Sequence, residues 1–232
     1  YMMSQFHGQA GQDEFVLNVL KFKTNGFFVE IGSNDPVFIN NTFLLETQYN
    51  WTGIMIEAQE KLSDGPNRGR DVLDLYKKER QHSHYIIDDA RKVDYIKAFN
   101  EYNAPHNIDY LQLDLDVENY STLETLRKLD ETVMDEYKFA TVTFEHDLYR
   151  MTDHSINTKT LSRKIFEKRG YKKVFDNIIV DFGCHQTPTC SNCAPRPFED
   201  WYIHPDLVDI DYITKLQAIN GNDLHWESIK YL

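Results

Sequence analysis

Five side chains able to move or accept a proton fall in two short runs, Asp114 and Asp116 in Leu113-Asp114-Leu115-Asp116, and Glu145-His146-Asp147 after Thr143-Phe144. Each run closes an apolar stretch of strand length, Ile108 to Leu115 and Phe139 to Phe144, so the acids should stand where the fourth and fifth strands of an α/β chain end. In an open α/β sheet the ligand lies beyond the carboxyl ends of the strands. Neighbouring strands would therefore bring these groups to one crevice, where a carboxylate or imidazole can draw the proton from an attacking hydroxyl. Asp116 and His146 are the candidate general bases. The competing reading keeps all five as helix caps and loop acceptors.

A second constellation lies earlier. Asn25-Gly26-Phe27-Phe28-Val29-Glu30-Ile31-Gly32-Ser33-Asn34-Asp35 is followed by Asn41-Thr42 and then Gly53-Ile54-Met55-Ile56-Glu57. The order is apolar strand, loop, helix, and a second apolar strand ending in an acid. A glycine in the first turn lets backbone approach a ligand, and the acid of the next strand is placed to grip a ribose. This is the front half of a nucleotide-cofactor site, with Glu57 as that acid.

The elements that must position these groups follow from periodicity. Phe15, Val16, Val19 and Leu20 predict a covering helix within Gly11 to Phe22; Asn41 or Thr42 caps a helix with Phe43, Leu44 and Leu45. Tyr85 to Ile87 reads as a third strand, Arg91 to Tyr102 as a helix, and Ser121 as the cap of a helix bearing Leu123, Leu126 and Leu129. After a helix from about Ser155 to Gly170 come Tyr171 to Phe175 and Asn177 to Phe182, separated so briefly at Asp176 that they predict an antiparallel hairpin. Alternating units imply a mostly parallel sheet covered on both faces. Five such units and a terminal hairpin make the strand count of the seven-stranded, Rossmann-like class I methyltransferase sheet.

At 232 residues the chain is read as one domain over 1–232, and a start at Tyr1 suggests an excised domain of a larger protein or a trimmed chain. Thirty-seven acids against 25 bases give a net charge of -12, which disfavours nucleic acid as a partner. Arg68, Arg70, Lys77, Lys78 and Arg80 are interleaved with acids and read as a solvated face. No apolar run has the length of a membrane span, and no signal segment is visible at the start. The three cysteines lie between 184 and 193, poor material for disulfides, so a reducing, cytoplasmic home is expected. Cys184, His185, Cys190 and Cys193 have the residue types for a structural zinc site, although the spacing equally suits a surface loop with reduced thiols.

Taken together, these motifs resemble the FkbM-type methyltransferases. The resemblance rests on Gly11-Gln12-Asp13, Asn25 to Gly32, Asn41-Thr42, Trp51-Thr52-Gly53-Ile54-Met55-Ile56-Glu57, Ile108 to Asp116, Thr143-Phe144-Glu145-His146 and Pro197-Phe198-Glu199-Asp200-Trp201, in order across most of the chain. Where family members usually carry glycine after the first-loop Asn-Asp, this chain has Pro36. The resemblance implies S-adenosylmethionine as cofactor. Its methionine end would be held by Glu30, Gly32, Ser33, Asn34, Asn41 and Thr42, its ribose by Glu57, and its adenine by Asp89 and Ala90. It further implies a sugar hydroxyl, such as that of rhamnose in a glycan, as acceptor, and other domains of a larger glycan-assembly protein as partners. By analogy with metal-dependent sugar O-methyltransferases, Asp114 and Glu145 would hold Mg²⁺ or Mn²⁺.

Phe198-Glu199-Asp200-Trp201-Tyr202-Ile203-His204 combines aromatic faces with acids, as a sugar-stacking site does, while the rival reading packs Trp201 onto the sheet. Two other function classes compete with the methyltransferase. An NAD-dependent sugar oxidoreductase or epimerase would need the Gly-x-Gly-x-x-Gly series, and the first loop has only Gly32. A cofactor-binding module without catalysis would be compatible with Pro36.

Overall fold

The computed structural model describes residues 6–180, 196–221, 223–225 and 228–232. Among the described residues, eight strands form one sheet in the order β3-β2-β1-β4-β5-β7-β6-β8. They are β1 (Phe27–Ile31), β2 (Thr52–Glu57), β3 (Ser83–Ile87), β4 (Asn107–Leu113), β5 (Lys138–Glu145), β6 (Lys172–Val180), β7 (Arg196–Ile203) and β8 (Asp223–His225). The first five are mutually parallel, and β7 runs antiparallel between β5 and β6. The seven-stranded, mostly parallel arrangement expected is present, with β8 added as a three-residue edge strand parallel to β6.

Because the strands are covered on both sides, their side chains divide cleanly by alternation. One face carries Phe28, Met55, Tyr110 and Trp201 and packs on α1 (Gln12–Val19), α2 (Phe43–Tyr49), α3 (Val72–Glu79) and α7 (Ile210–Asn220). The other carries Val29, Ile31, Ile54, Leu111, Leu113, Val142 and Phe144 and packs on α4 (Tyr95–Glu101), α5 (Ser121–Thr132) and α6 (Asp153–Lys168). Burying such a Leu, Ile or Phe is worth about 1.5–3 kcal/mol each.

Helix starts depart from the sequence expectations for identifiable reasons. Thr42 is the N-cap residue of α2, as expected, but makes no side-chain cap bond; Asn40 Oδ1 does that work instead, accepting from the backbone N–H of Thr42 and Phe43 at 3.1 and 2.8 Å. The helix expected from Arg91 starts only at Tyr95, because Asp94 caps it through the Lys97 N–H and Asp89 turns the chain at Arg91. Ser121 lies inside the first turn of α5, whose N-cap residue is Tyr120 at φ 63°.

The expected antiparallel C-terminal pair is present, but it is made by β6 and β7, and the turn placed at Asp176 between Tyr171–Phe175 and Asn177–Phe182 lies inside β6. Residues Lys172–Val180 are one irregular strand, β6, whose antiparallel partner is β7. Asp176-Asn177 marks a bulge in place of a turn: Asn177 takes φ 52°, and its N–H is received by the Asp200 carboxylate at 2.9 Å. Consequently Phe198, Trp201 and Tyr202 are buried strand residues and present no aromatic platform to a sugar. Trp201 instead packs 4.7 Å from the Phe15 ring and donates its indole N–H to Glu199 at 2.7 Å. Among the described residues, no helix is long and apolar enough to cross a membrane. Trp201→Ala should cost about 3–5 kcal/mol, read as a lowered midpoint of urea unfolding.

Candidate functional site

Register across the sheet assembles the site. Glu30 on β1 pairs with Met55 on β2 and Gln112 on β4; Gln112 pairs with Thr143 on β5, and Thr143 with Trp201 on β7. One step further along the strands, on the same face, stand Glu57, Gly32, Asp114, Glu145 and Glu199. Two polar rows thus cross the carboxyl ends of the parallel strands. Above β2, β1 and β4 they open into a cavity of about 610 Å³, within the range of small-ligand sites.

Gly32 makes the cavity possible. Its φ is 85°, its N–H reaches Ile56 O at 2.9 Å, and a Cβ there would lie 1.8 Å from the Asp114 carbonyl oxygen. Glu57, at the end of β2, accepts the Asn34 and Gln59 backbone N–H groups at 2.9 and 2.8 Å, leaving lone pairs toward the cavity. Ser33 Oγ pairs with Tyr76 Oη at 2.8 Å, and Tyr76 donates to Asn34 O at 2.7 Å, so the first loop is pinned from α3.

Glu30 is almost fully buried. Its Oε2 accepts from Thr42 Oγ1 at 2.8 Å and Asn40 Nδ2 at 3.2 Å, with Arg80 Nη1 at 3.9 Å. Burial pushes its carboxyl up to about 7, against the lowering influence of Arg80 and the hydrogen bonds. Arg80 is fully buried as well, a correction to its reading as part of a solvated basic face. Its guanidinium donates to Glu46 at 2.7 Å, Asn40 Oδ1 at 2.9 Å, Thr42 Oγ1 at 2.7 Å and Pro36 O at 3.3 Å. Pro36, which lacks an N–H, here supplies its carbonyl to the clamp. Nothing local in the sequence marks Arg80; the available signal was that buried Glu30 and Glu46 demand a counter-charge.

The predicted residues separate into two groups. Glu30, Gly32, Ser33, Asn34, Asn41, Glu57, Asp89, Ala90, Asp114 and Asp116 line the cavity. Thr42, Glu145 and His146 do not: Thr42 sits behind Glu30 as its hydrogen-bond donor. Asp89 is bound by Arg91 at 2.8 and 3.0 Å, and those hydrogen bonds lower its carboxyl to about 2. Asp116 is exposed in the cavity wall, its Oδ1 accepting the Glu118 N–H at 3.0 Å.

His146 is enclosed, with Nδ1 accepting the Leu148 N–H at 3.1 Å and Nε2 3.4 Å from Asp200 Oδ1. The Nδ1 bond leaves the ring proton on Nε2, facing Asp200. Burial would raise the Asp200 carboxyl, but His146 and Arg163 hold it well below the usual range. His146 is thus enclosed between the end of β5 and β7 and is not among the residues that line the cavity, where a base would be expected. Gln12, from the Gly11-Gln12-Asp13 motif, ties α1 to the same region by donating to Glu199 at 3.1 and 3.2 Å.

Asp114 and Glu145 stand at neighbouring strand ends, and burial pushes both carboxyls up, with the Asp114 charge adding to the rise at Glu145. Among the described residues, no set of three or more His, Cys, Asp or Glu is arranged to hold a metal ion. Cys184, His185, Cys190 and Cys193 lie outside the described residues.

No family model and no curated protein matches the chain by sequence. Solved structures do. The cofactor-bound protein Rv0187 from MTB superposes with a TM-score of 0.53 at 9% identity, over 88% of this chain and 82% of that one. A Klebsiella pneumoniae protein assigned as an O-methyltransferase superposes at 0.52 and 8% identity, over 84% and 80%. At such identities the likeness establishes architecture: this chain has the Rossmann-like fold of the class I methyltransferases.

Two predictions follow from this geometry. Gly32→Ala should abolish ligand binding in the cavity, because φ and the Asp114 carbonyl both reject a side chain; titration of the folded variant by calorimetry would check it. Burial, aided by the Asp114 charge, raises Glu199 to about 8 from an ordinary value of 4.5. The folded protein then holds a proton that the unfolded chain has released, so the contribution of Glu199 to stability is fully present below about pH 4.5 and is lost as pH rises through about 8. Glu199→Gln should flatten that decline, measured as the urea midpoint from pH 5 to 9.

Proposed function

We propose that the chain is an S-adenosylmethionine-dependent O-methyltransferase of the FkbM type, acting on an uncharged sugar hydroxyl. The observation that carries this reading is the cavity itself: one glycine turn between strand-end acids, Glu30 and Glu57, with Asp114 and Asp116 on the adjoining strand end. Eight carboxylate residues line it, and Arg91, already paired with Asp89 and Glu124, is the one basic residue among the described lining. Such a wall suits a cationic sulfonium and a neutral acceptor, and it opposes phosphate. An NAD diphosphate would meet these acids without a second glycine in the turn to admit it.

Bound S-adenosylmethionine supplies the methyl group as an electrophile. Glu57 accepts the ribose hydroxyls, and Asp89 with Ala90 borders the adenine. Asp116, exposed in the wall, takes the proton from the acceptor hydroxyl as it attacks. The rhamnose-like acceptor and the larger glycan-assembly context rest on the family resemblance.

Calorimetry should give micromolar affinity for S-adenosylmethionine and none for NAD, and a panel of neutral glycans should accept labelled methyl with or without chelator. Failure to bind the sulfonium would remove the reading; binding without transfer to any glycan would favour a silent module. Asp116→Asn should lower turnover by roughly 10²–10⁴-fold while leaving cofactor affinity within about two-fold.

A further inference from the structure

Almost every buried polar group around the first loop has a partner. Asn40 alone donates to Glu30, Ser33 O and Asp35 O and accepts from Thr42, Phe43 and Arg80. Two exceptions stand in the cavity lining. Gln112, 2% exposed on central strand β4, has no partner for Oε1, and Asn41, 5% exposed at the start of α2, has none for Oδ1. Unmet buried acceptors are costly and call for an explanation. The other unpartnered buried oxygens of the α5 and α6 helices, Thr125 Oγ1 and Thr158 Oγ1, are hydroxyls outside that lining, which rotate freely.

We propose that Gln112, together with Asn41, receives the α-ammonium group of the cofactor's amino-acid end; this assignment rests on the cofactor reading above. Glu30 is the register partner of Gln112, so the two residues sit one strand spacing apart, ~4.8 Å between backbones, on the same face of the sheet, and both line the cavity. Two amide oxygens and a carboxylate make a wall of acceptors. An ammonium offers three N–H donors and no acceptor, the complement of that wall, whereas a hydroxyl could satisfy one oxygen and a ligand carboxylate would be repelled. Rotation about the soft terminal torsions of Gln112 and Asn41 turns their oxygens to the incoming group. The amino-acid end is thereby oriented with its nitrogen toward the β1–β4 row and its carboxylate away from it.

The test uses the purified chain and two adenosyl thioethers. S-adenosylhomocysteine carries the amino-acid end, and 5′-methylthioadenosine keeps adenosine and sulfur without it. Gln112→Leu should weaken the first on the order of ten-fold and leave the second unchanged. Asn41→Ala, on a different element, should show the same selective loss, and Gln112→Glu, which retains an acceptor, should keep affinity for S-adenosylhomocysteine. Equal weakening of both ligands, weakening of neither, or a Gln112→Glu loss as large as that of leucine would overturn the assignment. A wild-type chain that bound 5′-methylthioadenosine but gained nothing from the amino-acid end would overturn it while sparing the adenosyl site. Binding of neither compound would remove the cofactor reading itself.

Discussion

The buried charge of Glu30 constrains everything around it. A carboxylate at the end of a central strand, shut away from water, survives only with compensation. Arg80 provides it from the end of α3, at 3.9 Å, while pairing with Glu46 on α2 and fastening Asn40, Thr42 and Pro36 O. Such a buried network gives little net stability, since desolvation offsets the attraction, yet removing one member leaves an uncompensated charge. Its consequence is geometric: the loop from Ser33 to Thr42 is tied to α2 and α3, and Glu30 is held facing the cavity.

From that fixed point the sheet distributes polarity by alternation. Residues on the α4–α5–α6 side of the parallel strands are apolar to the end, whereas the opposite side changes from Phe28 and Tyr110 to Glu30, Gln112 and Asp114 as it nears the carboxyl edge. One strand therefore contributes both to the core and to the site. The acids divide by their surroundings: Glu57 and Asp116 face the cavity with oxygens to offer, Asp114 and Glu145 are both pushed up by burial, and Glu199 is sealed beneath Gln12 and Trp201. Like residues at neighbouring strand ends thus acquire different chemistry through burial and contact.

Much of this was legible in the chain. Apolar runs, a glycine turn and strand-end acids specified the parallel units and the acids Glu30, Glu57, Asp114 and Asp116 at their ends, because strand alternation and positive φ are local properties. The misread residues at and behind the site involve contacts between distant segments. Asp176-Asn177 has turn composition, but β7 arrives beside it and makes a bulge; His146 has the composition of a base, but Asp200, from that same strand, encloses it. Arg80 has the composition of a surface residue until α2 and the first loop converge on it.

By itself, then, the sequence determined the first five strands, the acids at the ends of β1, β2, β4 and β5 and the glycine turn at position 32, since each follows from the stereochemistry of a few adjacent residues. Only the tertiary structure decided which polar groups were consumed by the fold and which were left for a ligand. That outcome depends on register between strands far apart in the chain, with β4 inserted beside β1 and β7 between β5 and β6. Gln112 shows the difference: in sequence it is a polar interruption of an apolar strand, and in the sheet it is an unmet acceptor one strand from Glu30.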